Sequence, residues 1–282
     1  MTLKLEAIGK SFPAVTFTYD ERDVMLYALA IGAGRDELDY CYEGRGPKVY
    51  PTFAVIPSLP PMLDAALALG ADLRTLLHGE QEIALHAPIP PAGTLHTVPR
   101  IANVFDKGKG ALVVVESKTT DTEGRLLFEN SSALFCRGEG GFGGDPGPKA
   151  AKLDPPEGQS PDFEVTEATR TDQALLYRLT GDRNPLHADP EFARMAGFER
   201  PILHGLCSMG FLGRAVVRNA AGGDAGRVKR MRVRFASVVF PGDTVISSGF
   251  RVSDQVYHLT LATGRGNMAI TNAMAEIAPA AD

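Results

Sequence analysis

Few cysteines, no long apolar run and no excess of basic charge characterise this 282-residue chain. The three cysteines, Cys41, Cys136 and Cys207, lie far apart and are odd in number, which argues against a disulfide framework and for reduced thiols. They do not cluster, and His78, His86 and His96 are spaced wrongly for a zincin helix, so no metal is expected. The net charge of -5 argues against long-range attraction to nucleic acid or an anionic membrane. Met1 to Ala7 hold no signal-peptide core, and no run of about 18 apolar residues offers a membrane span. The terminal Ala278-Pro-Ala-Ala-Asp282 lacks the Ser-Lys-Leu peroxisomal address, so a cytoplasmic enzyme is the expectation. No Gly-x-Ser-x-Gly nucleophile elbow occurs. Gly138-Glu-Gly-Gly-Phe-Gly143 fits Gly-x-Gly-x-x-Gly in form, but it leads into prolines instead of a helix, against a dinucleotide fold.

What is present suits a globular protein: 44% apolar and 22% charged residues. The length exceeds what one core usually fills, so two domains are expected. A stretch rich in Gly, Pro and Lys from Gly138 to about Asp162 reads as a linker, dividing the chain into 1–145, a linker at 146–162, and 163–282. The halves match at a constant offset of 150: Tyr27 with Tyr177, Pro51 with Pro201, Pro91 with Pro241. Three anchors at one spacing indicate an internal duplication.

Each half opens with a helix, as Val24, Leu26, Tyr27 and Ile31 indicate. A second helical segment is clear from His204 to about Val217, whereas Pro57, Pro60 and Pro61 should break its N-terminal counterpart. Strands are predicted at Thr94–Phe105, Ala111–Thr120 and Arg125–Cys136. Their counterparts are Val228–Phe240, Thr244–Ser253, Gln255–Ala262 and Asn267–Ile277. The fold class is therefore α+β, an antiparallel sheet wrapped on a long helix, twice. The units either share one sheet or pack back to back.

The halves differ where chemistry would sit. Asp182 aligns with Gly32, His187 with Glu37 and Gly205 with Val55. Gly181 can close the preceding helix and Pro185 keeps it from restarting, so Asp182, Asn184 and His187 share an irregular loop. A carboxylate and an imidazole there can both hold one water, an arrangement for general acid–base chemistry, with Asn184 able to orient either. Turn chemistry alone also accounts for Asp before Asn-Pro. Arg230, Arg232 and Arg234 alternate on one strand, either to meet phosphates or as a solvated edge face.

Tyr177-Arg-Leu-Thr-Gly-Asp-Arg-Asn-Pro-Leu-His-Ala-Asp-Pro190 closely resembles the hydratase 2 motif of the MaoC-like family, the (R)-specific enoyl-CoA hydratases, with Thr180 for the usual Ser. Pro201-Ile-Leu-His-Gly-Leu-Cys207 also matches. So do Tyr42-Glu-Gly, Pro51-Thr-Phe, Leu77-His-Gly-Glu-Gln, Asp106-Lys-Gly and Gly140-Gly-Phe-Gly-Gly, so the resemblance spans nearly the whole chain. It implies a double hot-dog fold, like the hydratase portion of peroxisomal multifunctional enzyme type 2. It further implies hydration of trans-2-enoyl-CoA to (3R)-3-hydroxyacyl-CoA in fatty-acyl metabolism, with no cofactor beyond the CoA of the substrate.

By that resemblance Asp182, Asn184 and His187 form the hydration site and the Gly205 N–H is the oxyanion donor. The helix that begins at His204-Gly205 supports this independently, since its free N–H groups and dipole favour a negative oxygen. His78, Gly79, Lys107, Arg183, Pro185, Leu186 and Phe235 bind the acyl-CoA substrate, and Glu43 supports the site. The partner is a small-molecule acyl-CoA, the break at Pro57, Pro60 and Pro61 should leave room for medium or long acyl chains, and an exposed sheet edge would encourage a homodimer. Alternatives are a branched, dicarboxylic or carrier-protein-bound enoyl thioester, a hot-dog thioesterase, or a non-catalytic acyl-binding module.

Overall fold

The computed structural model describes residues 3–72, 75–149 and 152–280. The first half contains β1 (Val15–Tyr19), α1 (Glu21–Ala30), α2 (Leu38–Cys41), α3 (Val55–Leu69), β2 (Leu76–Leu85), β3 (Gly93–Asp106), β4 (Gly110–Thr120) and β5 (Leu126–Arg137). The second contains β6 (Phe163–Ala168), α4 (Gln173–Tyr177), α5 (Pro190–Met195), α6 (Gly205–Asn219), β7 (Val228–Phe235), β8 (Thr244–Arg251), β9 (Val256–Thr263) and β10 (Met268–Ile277). The local reasons are conventional. Asp20 caps α1 in a reciprocal box with Asp23, and the central strands alternate buried with less buried residues as a one-faced sheet requires. Three strands were not predicted, β1, β2 and β6. In β2, Gly79 and the polar run Glu80-Gln81-Glu82 hide the apolar alternation.

All ten strands form one antiparallel sheet in the order β1-β3-β4-β5-β2-β7-β10-β9-β8-β6. Of the two arrangements the sequence left open, the shared sheet is the one adopted. The order is symmetric about its centre, where Glu80 pairs with Arg234, Glu82 with Arg232 and Ala84 with Arg230. A pseudo-two-fold axis therefore passes between Glu82 and Arg232, which are related by the same 150-residue offset. This is a double hot-dog: α3 lies over β3 and β4, and α6 lies against β7 to β10. Tyr27 and Tyr177 meet near the axis with ring centroids 6.2 Å apart.

Several expectations are corrected. Strand β7 stops at Phe235 and lies at the centre of the sheet, not at an edge. Arg230 pairs with Glu82 at 2.7 Å and Arg232 with Glu80 at 2.7 Å, so these two guanidiniums neutralise glutamates of the other half. Helix α3 is continuous through Pro60 and Pro61. Pro57 lies in its first turn, where N–H groups have no intrahelical acceptor. The later prolines cost hydrogen bonds, but buried Val55, Ile56, Leu59, Met62, Ala65, Ala66 and Leu69 hold the helix by packing. Room for a long acyl chain thus finds no basis in a broken helix. Pro51–Leu69 also reaches membrane-spanning length, 19 residues at mean hydropathy 1.4, yet 72% of it is buried inside the fold, as befits a core helix.

The Gly-x-Gly-x-x-Gly stretch wraps an internal carboxylate. Asp106 accepts from the N–H groups of Gly108, Gly141 and Gly143, each at 2.8 Å, a backbone nest occupied by the chain's own anion. Those N–H donors, Gly141 first, hold the Asp106 carboxyl below its usual range.

The duplicate of the loop that holds Asp182 and His187 is filled with side chains. A Cβ on Gly32, the counterpart of Asp182, would lie 2.4 Å from the Phe211 ring and 2.9 Å from Arg214 Nη1. Its backbone also has φ +89°, so no side chain fits. Arg214, 2% exposed, binds Glu37, Glu167 at 3.1 Å and the Ile31 carbonyl at 3.1 Å. Glu37, the counterpart of His187, also accepts from Tyr50 Oη at 2.7 Å. The buried network staples the halves together and occupies the second site. Arg214→Ala should lower unfolding free energy by about 3–5 kcal/mol, because it strands buried carboxylates. Urea unfolding checks this; adding Glu37→Gln should recover part of the loss.

Candidate active site

The loop between α4 and α5 is shaped by its own backbone. Gly181 sits at φ +146° and ends the helical turn Arg178–Thr180. Asp182 Oδ1 then accepts the Asn184 N–H at 3.2 Å, and Asn184 Oδ1 caps the turn Pro185–His187 by accepting from Leu186 N at 3.0 Å. The Asn184 side chain is thus engaged in the loop, and its backbone N–H is the group that touches Asp182. Arg183, Asn184 and Pro185 are exposed and Leu186 half-buried, while His187 turns inward and is 8% exposed.

Three groups converge. One donor atom each from Asp182, His187 and His204 lie within 4.8 Å of one another. The imidazoles of His187 and His204 stack with centroids 3.6 Å apart and planes at 26°. Hydrogen bonds fix their protons. His187 Nδ1 is 2.8 Å from the Ile202 carbonyl, which can only accept, so Nδ1 carries hydrogen and Nε2 keeps its lone pair. His204 Nε2 likewise donates to the Asp182 carbonyl at 3.1 Å, leaving Nδ1 buried without a partner. Burial pushes both imidazoles below the usual range, with Asp182 opposing at His187 and His187 reinforcing at His204. The lone pairs lie in near-parallel planes, which suits a water or substrate oxygen better than one ion chelated by both rings.

Other elements close the site. His204 is the N-cap of α6, and the Gly205 N–H has no acceptor among the described residues. A Cβ on Gly205 would stand 3.1 Å from the Phe235 ring, so a side chain there would force that ring to give way by a few tenths of an ångström. The Phe235 ring meets His78 of the first half edge-on at 5.3 Å. Gly79 sits at a β-bulge that breaks the register between His78 and Glu80. Asp182 is near enough for its charge to act on His78, whose basicity burial lowers to about 4. The structure therefore gathers Asp182, His187, Gly205, Phe235, His78 and Gly79 across both halves.

Two predicted residues stand apart. Lys107 donates to the Pro146 carbonyl and lies 5.7 Å from the Phe105 ring centroid, so it tethers the linker. Glu43 is exposed after α2, and its side chain makes no hydrogen bond or ion pair among the described residues. His204 was missed as a site side chain although it precedes Gly205 in the matched block. Tyr177 was also missed; it is buried, its hydroxyl lacks a partner, and its ring lies 4.8 Å from His204.

Residues 17–138 match the MFE-2 hydratase 2 N-terminal domain and residues 152–272 the MaoC-like domain. An enoyl-CoA hydratase of Mycobacterium tuberculosis is 38% identical, over 97% of this chain and 98% of its own. A MaoC-like dehydratase from Phytophthora capsici superposes with TM-score 0.86 at 31% identity, covering 99% of this chain and 100% of that one. The peroxisomal multifunctional enzyme type 2 of Drosophila melanogaster superposes with TM-score 0.82 at 35% identity, over 95% of this chain and 48% of that one.

Two buried histidines with lowered basicity make stability depend on pH. The unfolded chain takes up protons below about pH 6.5, where folded His187 and His204 do not. Their contribution is complete above that pH and is lost as pH falls, each at up to about 1.4 kcal/mol per pH unit. Urea unfolding at about pH 7.5 and about pH 5.5 should differ by about 1–3 kcal/mol, less in His204→Gln.

Proposed function

The chain belongs to the MaoC-like hydratase 2 family, and from that membership we propose that Asp182 and His187 carry out the reversible hydration of a trans-2-enoyl-CoA to the (3R)-3-hydroxyacyl-CoA. It is a hydro-lyase of fatty-acid metabolism. The observation that carries the site assignment is that one donor atom each of Asp182, His187 and His204 lie within 4.8 Å of one another, with the Gly205 N–H, which has no acceptor among the described residues, one residue beyond His204.

The chemistry follows from those atoms. A water held between Asp182 and His187 loses a proton to one of them as its oxygen bonds to C3. The C2–C3 π electrons move toward C1, and the thioester oxygen takes enolate charge. The Gly205 N–H, aided by the positive end of α6, meets that charge as it develops; one such donor is worth about 3–4 kcal/mol. A proton returned from the same pair to C2 completes the addition on one face. Neutral His187 is suited to accept the water proton because Nδ1 already holds a hydrogen against Ile202. His78 and Phe235 are then walls of the acyl-CoA site contributed by the other half and the adjoining strand. The substrate is a CoA thioester, and no further cofactor enters these steps.

Addition of purified protein to trans-2-enoyl-CoAs should remove the conjugated enoyl-thioester absorbance and release no CoA. Asp182→Asn and His187→Gln should each slow this by about a hundred- to ten-thousandfold. Near-native turnover in either variant would sink the assignment, and free CoA as product would point to a thioesterase instead.

A further inference from the structure

His78 ends a buried chain of polar side chains running through the first half, and every link has a definite direction. The chain starts at the Ala54 carbonyl, just before α3, which can only accept. Ser58 Oγ donates to it at 3.0 Å and Asn130 Nδ2 at 3.2 Å, with a second Asn130 hydrogen directed at Ser58 Oγ, 2.8 Å away. The Asn130 amide nitrogen is therefore fixed toward α3, and its oxygen faces Gln81. Gln81 Nε2 donates to that oxygen at 2.8 Å and to the Glu82 carbonyl at 3.0 Å. With both its hydrogens spent, Gln81 presents only its oxygen. Ser132 Oγ donates to it at 2.7 Å, and His78 Nε2 lies 3.1 Å away. Since an amide oxygen cannot donate, His78 Nε2 must carry the hydrogen.

Two backbone carbonyls at separate points anchor the amide orientations, so reversing either amide would set nitrogen against an acceptor-only oxygen or leave it bare. Ser58, Gln81, Asn130 and Ser132 are each 5% exposed or less, so water does not compete for these bonds. Gln81 lies two residues beyond the Gly79 bulge that re-aims β2 at the site.

We propose that Gln81 is a positioning residue of the active site, fixing a proton on His78 Nε2 while the ring stands edge-on to Phe235. This rests on the hydratase reading of Asp182 and His187. Burial keeps the ring neutral against the pull of the Asp182 charge and of the Gln81 bond itself, so with the proton on Nε2 the Nδ1 lone pair stays free. The role is separate from the packing of the first half: a residue needed only to fill space would leave the His78 proton where it is.

The wild-type tautomer can be read without any substitution. In protein labelled with 15N-histidine, His78, assigned by the resonances lost in His78→Gln, should show a protonated Nε2 and an unprotonated Nδ1 near neutral pH. A protonated Nδ1 with bare Nε2, or an imidazolium, overturns the proposal. In Gln81→Glu, the carboxylate beside Nε2 should draw a second proton onto His78. Turnover should then fall about ten- to a hundredfold, with a smaller change in KM. Gln81→Met should give a mixture of tautomers and an intermediate loss. Ser132→Ala, which removes one hydrogen bond to the same oxygen and leaves the fold's other contacts in place, should weaken the preference in the same sense. If His78 keeps its wild-type signature and turnover stays native in the folded variants, Gln81 is not a positioning residue. Asp182→Asn separates the two readings, because it should abolish hydration yet leave the His78 Nε2 protonated. Full activity in Asp182→Asn would defeat the hydratase assignment while the tautomer result stood on its own.

Discussion

Where β2 meets β7, backbone hydrogen bonds join two halves that would each otherwise expose an unpaired strand edge. That pairing places the pseudo-two-fold axis between Glu82 and Arg232, and it brings His78 from one half to the loop and helix head of the other. Cross-strand ion pairs, Arg230 with Glu82 and Arg232 with Glu80, let polar side chains stand on adjacent central strands without leaving charge uncompensated. The site is consequently assembled between the halves, and neither half alone supplies all of its walls.

Symmetry would allow two such sites, and the structure keeps one. At the second position Gly32 replaces the carboxylate, Phe211 and Arg214 fill the space its side chain would need, and Glu37 holds Arg214 where the imidazole would be. The duplicated loop holds a buried ionic staple in place of the carboxylate and imidazole. The surviving site shows the opposite economy, with His187 and His204 kept neutral by burial and their N–H groups directed to backbone carbonyls. The opposite ring nitrogen of each imidazole thereby keeps its lone pair.

Much of this was legible from residues. The 150-residue offset between Tyr27 and Tyr177, Pro51 and Pro201, and Pro91 and Pro241 revealed the duplication, because three matches at one spacing point to a repeat where any one alone could be chance. The loop from Gly181 to His187 could be read because its turn residues have local meanings. Strand β2 could not, since Glu80, Gln81 and Glu82 look like surface until the arginines opposite them are known. Helix α3 was misjudged because proline preference is a local rule, and burial of its apolar face outweighs it. Arg230 and Arg232 were misplaced on an edge for a related reason: strand order does not follow sequence order.

Sequence by itself determined the repeat and the α+β class and singled out the loop with Asp182 and His187 as the place where the halves differ, since each depends on residue type and short spacing. Tertiary structure alone decided that the two sheets are one, that His204 stacks on His187, that Lys107 ties the linker, and that a chain of amides from Ala54 sets the proton on His78. Those facts involve atoms brought together from distant parts of the chain. Their physical cause is the closing of the sheet on its helices, which no local preference encodes.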